Sequence, residues 1–276
     1  MKPLHARVLL TGASGGIGRE AAAALVGAGA GVLLAGRHPA RLSAQARALG
    51  PEPRVTWATA DLADPAQVER LAAEAAAWGC NVVIHNAGTP AFGALARHDA
   101  ESMLRVLQAN LLAPMLLTRL LLPHLARQAR AQVICVGSAL GRIGLPGYSL
   151  YSASKFGLRG FAEALRRELA GTPVRVQYLG PRTTRTDFND GQVQAYNRAT
   201  GAAVDEPAAV AAAMVRLLED EAAERFLGFP ERLAVRINGL APTWLDGSFR
   251  RHRRSLELVP DPTSARTPET PERIPT

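Results

Sequence analysis

Between residues 7 and 180, short apolar runs alternate with longer segments rich in Ala, Leu and Arg, and this alternation restricts the fold more than any other feature of the chain. The runs at 7–11, 31–36, 54–60, 81–86, 132–137 and 174–179 read as strands. The segments at 16–28, 39–49, 65–78, 99–126 and 149–170 carry the helical period. Strands that are apolar on both faces need cover on both, and parallel neighbours need a crossover, which here is a helix. The predicted fold is therefore α/β, a doubly wound parallel sheet flanked by helices on both faces. Pro39 and Pro65 suit first helical turns, where a missing N–H costs little, and Asp64 suits a cap.

After residue 180 the rhythm changes. A Thr/Arg/Asn/Gly-rich stretch to about 204 reads as a loop, followed by a helix near 206–221, a last strand around 225–229 and a helical extension over 231–258. The last residues, 260–276, are rich in Pro and Thr without apolar period and read as a mobile tail. The expectation is one domain over residues 1–259, which suits a chain of 276 residues. No apolar segment ending in a cleavage site follows the N-terminus. The most lipophilic stretch, 106–125, is interrupted by Gln108, Asn110, Pro114, Thr118, Arg119, Pro123 and His124. A buried helix and a cytoplasmic location are the expectations.

Two cysteines exclude a disulfide scaffold, and Cys80, His85 and Cys135 match no metal-ligand spacing, so no metal is expected. The net charge of +8 raises nucleic-acid binding, but no helix-turn-helix or zinc-finger pattern supports it, and none is expected. The type of base is more informative. Of 32 basic residues only Lys2 and Lys155 are lysines, so Lys155 sits where an amine does something a guanidinium does not.

The first strand ends in Thr11-Gly12-Ala13-Ser14-Gly15-Gly16-Ile17-Gly18 and passes into an Ala-rich helix. Glycines there permit a tight turn and close approach of a pyrophosphate to the free N–H groups of the helix. Together with Asn86-Ala87-Gly88, Asn110, Ser138 and Tyr151-Ser152-Ala153-Ser154-Lys155, the chain resembles the short-chain dehydrogenase/reductase family, in motif order and separation, over about residues 7 to 190. The resemblance implies a Rossmann-type sheet. It places Gly12, Ser14, Gly16, Ile17 and Gly18 at the dinucleotide turn, Asn86, Ala87 and Gly88 beside it, and Asp61 and Leu62 at the adenine.

A ribose 2′-hydroxyl is usually held by a carboxylate at the end of the second strand, whereas a 2′-phosphate wants a cation. That strand is followed by Arg37, which by similarity to the family implies NADP(H) over NAD(H). Pro181 and Thr186 match the family segment that approaches the nicotinamide, with Arg182 where Gly is customary.

Tyr151 and Lys155, four residues apart, share a helix face, so an ammonium near the phenol would lower its pKa. In the family, Lys155 also binds the nicotinamide ribose, Ser138 orients the substrate carbonyl and Asn110 holds a water connecting Lys155 to solvent. The tetrad Asn110, Ser138, Tyr151 and Lys155 implies hydride transfer between NADPH and a ketone, aldehyde or 3-oxoacyl carbonyl, with Tyr151 as acid/base. A lipid-directed alcohol dehydrogenase and a non-catalytic dinucleotide sensor are the alternatives; the sensor needs no proton donor.

The 181–204 loop is expected to cover the small-molecule substrate, and its polar residues Asn189, Gln192, Gln194, Tyr196 and Asn197 name no single ligand. The family pairs helices 99–126 and 149–170 across a subunit interface, which implies a homodimer or homotetramer. The segment 240–258 sets Trp244, Leu245 and Phe249 beside Arg250, Arg251, Arg253 and Arg254. Such a segment most often lies on its own domain with its arginines in water, and the alternative is an anionic membrane or an acidic carrier.

Overall fold

The computed structural model describes residues 1–229 and 231–257. Its centre is one parallel sheet of β1 (Arg7–Thr11), β2 (Gly31–Gly36), β3 (Val55–Thr59), β4 (Val82–His85), β5 (Ala131–Val136), β6 (Val174–Gly180) and β7 (Glu224–Phe226). The spatial order is β3-β2-β1-β4-β5-β6-β7, so the winding reverses between β1 and β4, and ligands of such sheets bind in the crevice at that point. Between the strands run α1 (Gly16–Gly27), α2 (Pro39–Leu49), α3 (Pro65–Trp78), α4 (Ala100–Leu107), α5 (Ala113–Leu125), α6 (Ser149–Glu168), α7 (Gly191–Thr200) and α8 (Pro207–Asp220). The C-terminal extension contains α9 (Glu231–Leu240) and α10 (Arg250–Glu257). The tail expected over 260–276 lies outside the described residues.

Alternation along the strands divides the core into two layers. Val8, Leu10, Val32, Leu34, Ile84 and Ile134 face Leu25 of α1 and Met214 and Leu217 of α8. Leu9, Leu33, Val83, Val133 and Cys135 face Leu71 of α3, Leu121 of α5 and Leu158 of α6. Each such fully buried Leu contributes on the order of 2 kcal/mol of burial, and truncation to Ala would leave a cavity. The first helices start as the sequence dictates: Pro39 and Pro65 open α2 and α3, and the Asp64 carboxylate accepts the Ala66 N–H at 2.9 Å.

Three elements differ from the sequence expectation. The segment 99–126 is α4 and α5 joined by a π turn, Gln108–Leu112, which carries Asn110 inward. A π turn slips one residue into the helix and so re-aims its buried face. Ala100–Leu125 is long and apolar enough to cross a membrane by length and composition, but Val106, Leu117, Leu121 and Leu125 are buried within the fold. The stretch read as a polar loop to about 204 contains α7, capped by Asp190, whose carboxylate accepts the Val193 N–H at 2.9 Å, and ended by Gly201 in the left-handed conformation. The last strand is shorter and earlier than expected, Glu224–Phe226.

Candidate active site

The crevice at the winding reversal opens into a cleft of about 1610 Å³. That exceeds the ~300–1,000 Å³ usual for one drug-sized ligand, which leaves room for a large ligand beside a second molecule. One end is the glycine turn. Thr11 ends β1 with a buried hydroxyl that accepts the N–H groups of Asn86 and Ala87, both at 3.1 Å, and donates to the Ile84 carbonyl. The Asn86 side chain donates back to the carbonyls of Thr11 and Gly12 at 3.1 and 3.2 Å, tying the end of β4 to the turn. Gly12 has φ +64°, and a Cβ there would lie 2.7 Å from Ala87 Cα; a Cβ on Gly18 would overlap the Gly12 carbonyl. Helix α1 begins without a capping side chain or an acidic residue in its first turn, so its N-terminal N–H groups are available to an anion.

Ser14, Gly16, Ile17, Ala87 and Gly88 line the same wall, and Thr186 packs against Gly16. At the edge beside β2 and β3 the cleft is lined by Arg37, Asp61 and Leu62, with Arg19 and Arg41, which the sequence reading had not singled out. Asp61 is fixed by its loop: its carboxylate accepts the Ala63 N–H at 3.0 Å and its own N–H donates to Gln67 at 2.9 Å. Gln45 of α2 also lines this end, and both polar atoms of its amide are buried without a hydrogen-bond partner.

Ser138, Tyr151 and Lys155 line the floor. Ser138 follows β5, where Tyr178 of β6 holds its backbone: the phenol accepts the Ser138 N–H at 3.0 Å and donates to the Ser138 carbonyl at 2.9 Å. A Cβ on Gly137 or Gly141 would overlap that phenol, so the strand end and the turn after it are built around Tyr178. The Ser138 hydroxyl accepts the Leu140 N–H at 3.0 Å and hydrogen-bonds the Tyr151 phenol. One turn further along α6, Lys155 is buried, with Nζ 5.6 Å from the centre of the Tyr151 ring and 3.3 Å from the Val136 carbonyl to which it donates.

The protonation states correct one expectation. Burial pushes the Tyr151 phenol above its ordinary value, nearby Tyr148 adds to this, and the Ser138 hydrogen bond opposes it. Lys155 Nζ lies 5.6 Å from the ring centre and donates to the Val136 carbonyl, and burial sets the direction of the phenol's shift. Burial brings Lys155 itself down to about 8. The phenol thus stays neutral near pH 7, while the amine remains largely protonated there.

Asn110 lies behind the floor, fully buried, and does not line the cleft. Its carbonyl oxygen accepts the Thr89 N–H at 2.7 Å, and its amide donates to the Thr89 carbonyl at 3.0 Å and to Ser154 Oγ at 3.1 Å. Ser154 donates in turn to the Tyr151 carbonyl at 2.7 Å. The side chain therefore clamps the Gly88 loop to α6, through Thr89 on one side and Ser154 on the other. A Cβ on Gly88 would stand 3.2 Å from Asn110 Oδ1 and 3.7 Å from Lys155 Nζ, between the two.

Above the floor stands an aromatic wall, of which the sequence points only to Tyr196. Tyr148 lies 6.3 Å from the Tyr151 ring and Phe188 lies 6.2 Å from it; Phe92 lies 4.9 Å from both Tyr148 and Tyr196, tilted against the first and edge-on to the second. Tyr196 comes from α7 and donates to the Pro146 carbonyl at 3.0 Å, while His252 of α10 reaches its hydroxyl at 2.7 Å. Ala234, Ser248, Phe249 and His252 of the C-terminal extension complete the lining. Of the polar loop residues, Asn189, Tyr196 and Asn197 line the cleft, whereas Gln192 and Gln194 do not. Pro181 lies at the end of β6 and accepts the Ala139 N–H; next to it Arg182 binds the Asp205 carboxylate through Nε and Nη2 at 2.9 and 2.8 Å, fastening both ends of the 182–205 segment. Among the described residues no group of three or more His, Cys, Asp and Glu could hold a metal ion, and His85, Cys80 and Cys135 are buried in the core.

Comparison with known proteins agrees with this architecture. Residues 6–197 match the family model described as short chain dehydrogenase. The bovine (Bos taurus) dehydrogenase/reductase SDR family member 7B is 32% identical over 225 residues, covering 78% of this chain and 69% of the relative. The ketoacyl reductase HetN of Nostoc sp. is 30% identical over 254 residues, 88% of each chain. A short chain dehydrogenase from Burkholderia cenocepacia, solved in complex with NADP, superposes with a TM-score of 0.78 at 25% identity, over 91% of this chain and 99% of that one. The chain belongs to the short-chain dehydrogenase family.

Proposed function

We propose that the protein is an NADP(H)-dependent oxidoreductase that transfers hydride between NADPH and the carbonyl of a ketone, aldehyde or 3-oxoacyl compound, with Tyr151 as the acid/base. The observation that carries this reading is the placement of Tyr151, hydrogen-bonded to Ser138 and backed by buried Lys155, on the floor of a cleft whose far end is an uncapped helix N-terminus among arginines.

The residues present fit a phosphorylated dinucleotide. Gly12, Ser14, Gly16, Ile17 and Gly18 leave backbone N–H groups open for a pyrophosphate, and the orphaned Gln45 amide marks an end of the cleft that a polar ligand would complete. Arg37, with Arg19 and Arg41, would hold a 2′-phosphate; Asp61 and Leu62 would meet the adenine; Ala87, Gly88, Lys155, Pro181 and Thr186 would hold the nicotinamide half. When bound, this group supplies hydride to the carbonyl carbon or accepts it from the alcohol.

The chain's own residues do the remaining work. Ser138, its backbone fixed by Tyr178, presents a hydroxyl to the substrate oxygen. As that oxygen gains negative charge, Tyr151 gives it the phenolic proton, and Lys155, its pKa lowered to about 8 by burial, is suited to pass a proton toward the phenolate. The aromatic wall excludes water and favours a substrate with an apolar body. A non-catalytic sensor has no use for this donor pair. The name of the Nostoc relative supports a 3-oxoacyl compound among the candidates. We also infer a dimer through α4, α5, the π turn between them and α6, which expose Leu104, Leu112, Met115 and Phe156.

The test is NADPH oxidation across aldehydes, ketones and 3-oxoacyl thioesters, repeated with NADH. Turnover favouring NADPH by about tenfold or more is expected from an arginine-held 2′-phosphate. A preference for NADH would overturn the Arg37 assignment, and silence across the panel would favour the sensor.

A further inference from the structure

The C-terminal extension has two outer surfaces that the proposed chemistry leaves unused. On α9, Ala234, Val235, Asn238 and Gly239 occupy the inner arc: Val235 is buried, Asn238 donates to the Arg142 carbonyl at 2.7 Å, and Gly239 stands against the Arg142 guanidinium. At the opposite arc, with spacing i, i+3, i+4 and i+7, lie Leu233, Arg236, Ile237 and Leu240, all exposed. Leu240 is 89% exposed and Trp244, just beyond the helix, 81%. Phe229, preceding the helix, is 78% exposed. A ridge of this size is unusual on a surface that meets only water.

Helix α10 is divided in the same way. His252, Ser255 and Leu256 turn inward: Ser255 is buried, His252 meets Tyr196, and Leu256 packs over Gly147. Arg250, Arg251, Arg253 and Arg254 are exposed on the other side.

We propose that this extension docks the protein on an anionic lipid bilayer, with Leu233, Ile237, Leu240 and Trp244 entering the interfacial layer and Arg236 and the α10 arginines meeting lipid phosphates. Three observations select a bilayer. The apolar side chains stand proud of the surface as a ridge, where a folded protein partner would more usually meet a groove or a flat patch. Trp suits the boundary between headgroup and acyl chain, and exposed arginines complement a negative surface. The remaining segment of this chain, residues 258–276, is dominated by Pro, Thr and charged residues and offers little apolar surface to cover the ridge.

The experiment is vesicle flotation of the full-length protein with phosphatidylcholine alone and with phosphatidylcholine containing phosphatidylserine. It is repeated on two variants, Leu240→Glu with Trp244→Glu, and Arg253→Ser with Arg254→Ser. Unchanged thermal melting of the variants serves as the folding control. The expected result is about tenfold more protein floating with the anionic vesicles, with that gain largely lost in the arginine variant and flotation on both lipids abolished in the Leu/Trp variant. The proposal is overturned if the wild type floats with neither vesicle, or if the Leu/Trp variant floats as well as the wild type. It is equally overturned if the ridge substitutions leave flotation absent and instead reduce the size of the protein in solution, because a second copy of the chain would then be the occupant.

Discussion

Lys155 is one of two lysines in a chain with thirty arginines, and it lies buried beneath Tyr151, donating a hydrogen bond to the Val136 carbonyl. An ammonium held there is destabilising, since burial lowers its pKa from 10.5 to about 8. At about 1.4 kcal/mol per pKa unit the penalty is at most roughly 3.5 kcal/mol. Because the unfolded chain keeps its proton up to pH 10.5, the penalty is full below pH 8 and disappears as pH rises from 8 to 10.5. Lys155→Met should therefore melt at or above the wild-type temperature at pH 7, lose that advantage as pH approaches 10, and have no measurable turnover. A wild-type-like rate, or a large drop in melting temperature at pH 7, would contradict this account. The spacing of Tyr151 and Lys155 was readable because both lie on one helix turn. The contributions of Thr11 and Tyr178 were not, because each acts across the sheet on residues 40 or more positions away in the chain.

At the scale of elements, the strands and helices of the first 180 residues follow from periodicity and from the prolines and caps that open them. The π turn at Gln108–Leu112 does not, because a one-residue slip leaves no mark in the pattern of apolar residues. Helix α7 was hidden for a different reason: its sequence, GQVQAYNRAT, is polar, and only Val193, Tyr196 and Asn197 are buried. Its start and stop signals, Asp190 and Gly201, were nevertheless present in the sequence. Because α7 presents Tyr196 and Asn197 to the cleft, Asp190→Ala, which removes a cap bond to Val193 worth about 1 kcal/mol, should act locally. The expected outcome is a several-fold rise in substrate KM, little change in kcat, and faster proteolytic cleavage between residues 187 and 204. An unchanged KM together with unchanged proteolysis would show that α7 does not depend on its cap.

For the whole molecule, the alternation of strand and helix led directly to the doubly wound sheet, and the winding reversal located the cleft. What the sequence concealed is how the cleft is walled, because Phe92, Tyr148, Tyr196 and His252 come from four separate segments and meet only in the folded chain. Cleft and outer surface have different fates in solution. If α4, α5 and α6 pair between subunits, Leu112→Glu with Phe156→Glu should halve the mass measured by light scattering while residues 138–155 keep their arrangement within each subunit. A mass equal to the wild type would place the interface elsewhere. The central claim concerns chemistry, and the most direct measurement is single-turnover hydride transfer by Tyr151→Phe alongside NADPH binding by fluorescence. The account predicts that NADPH binds within a few-fold of wild-type affinity while turnover falls below about one-thousandth, as loss of the proposed proton donor requires. Turnover within tenfold of the wild type would contradict it.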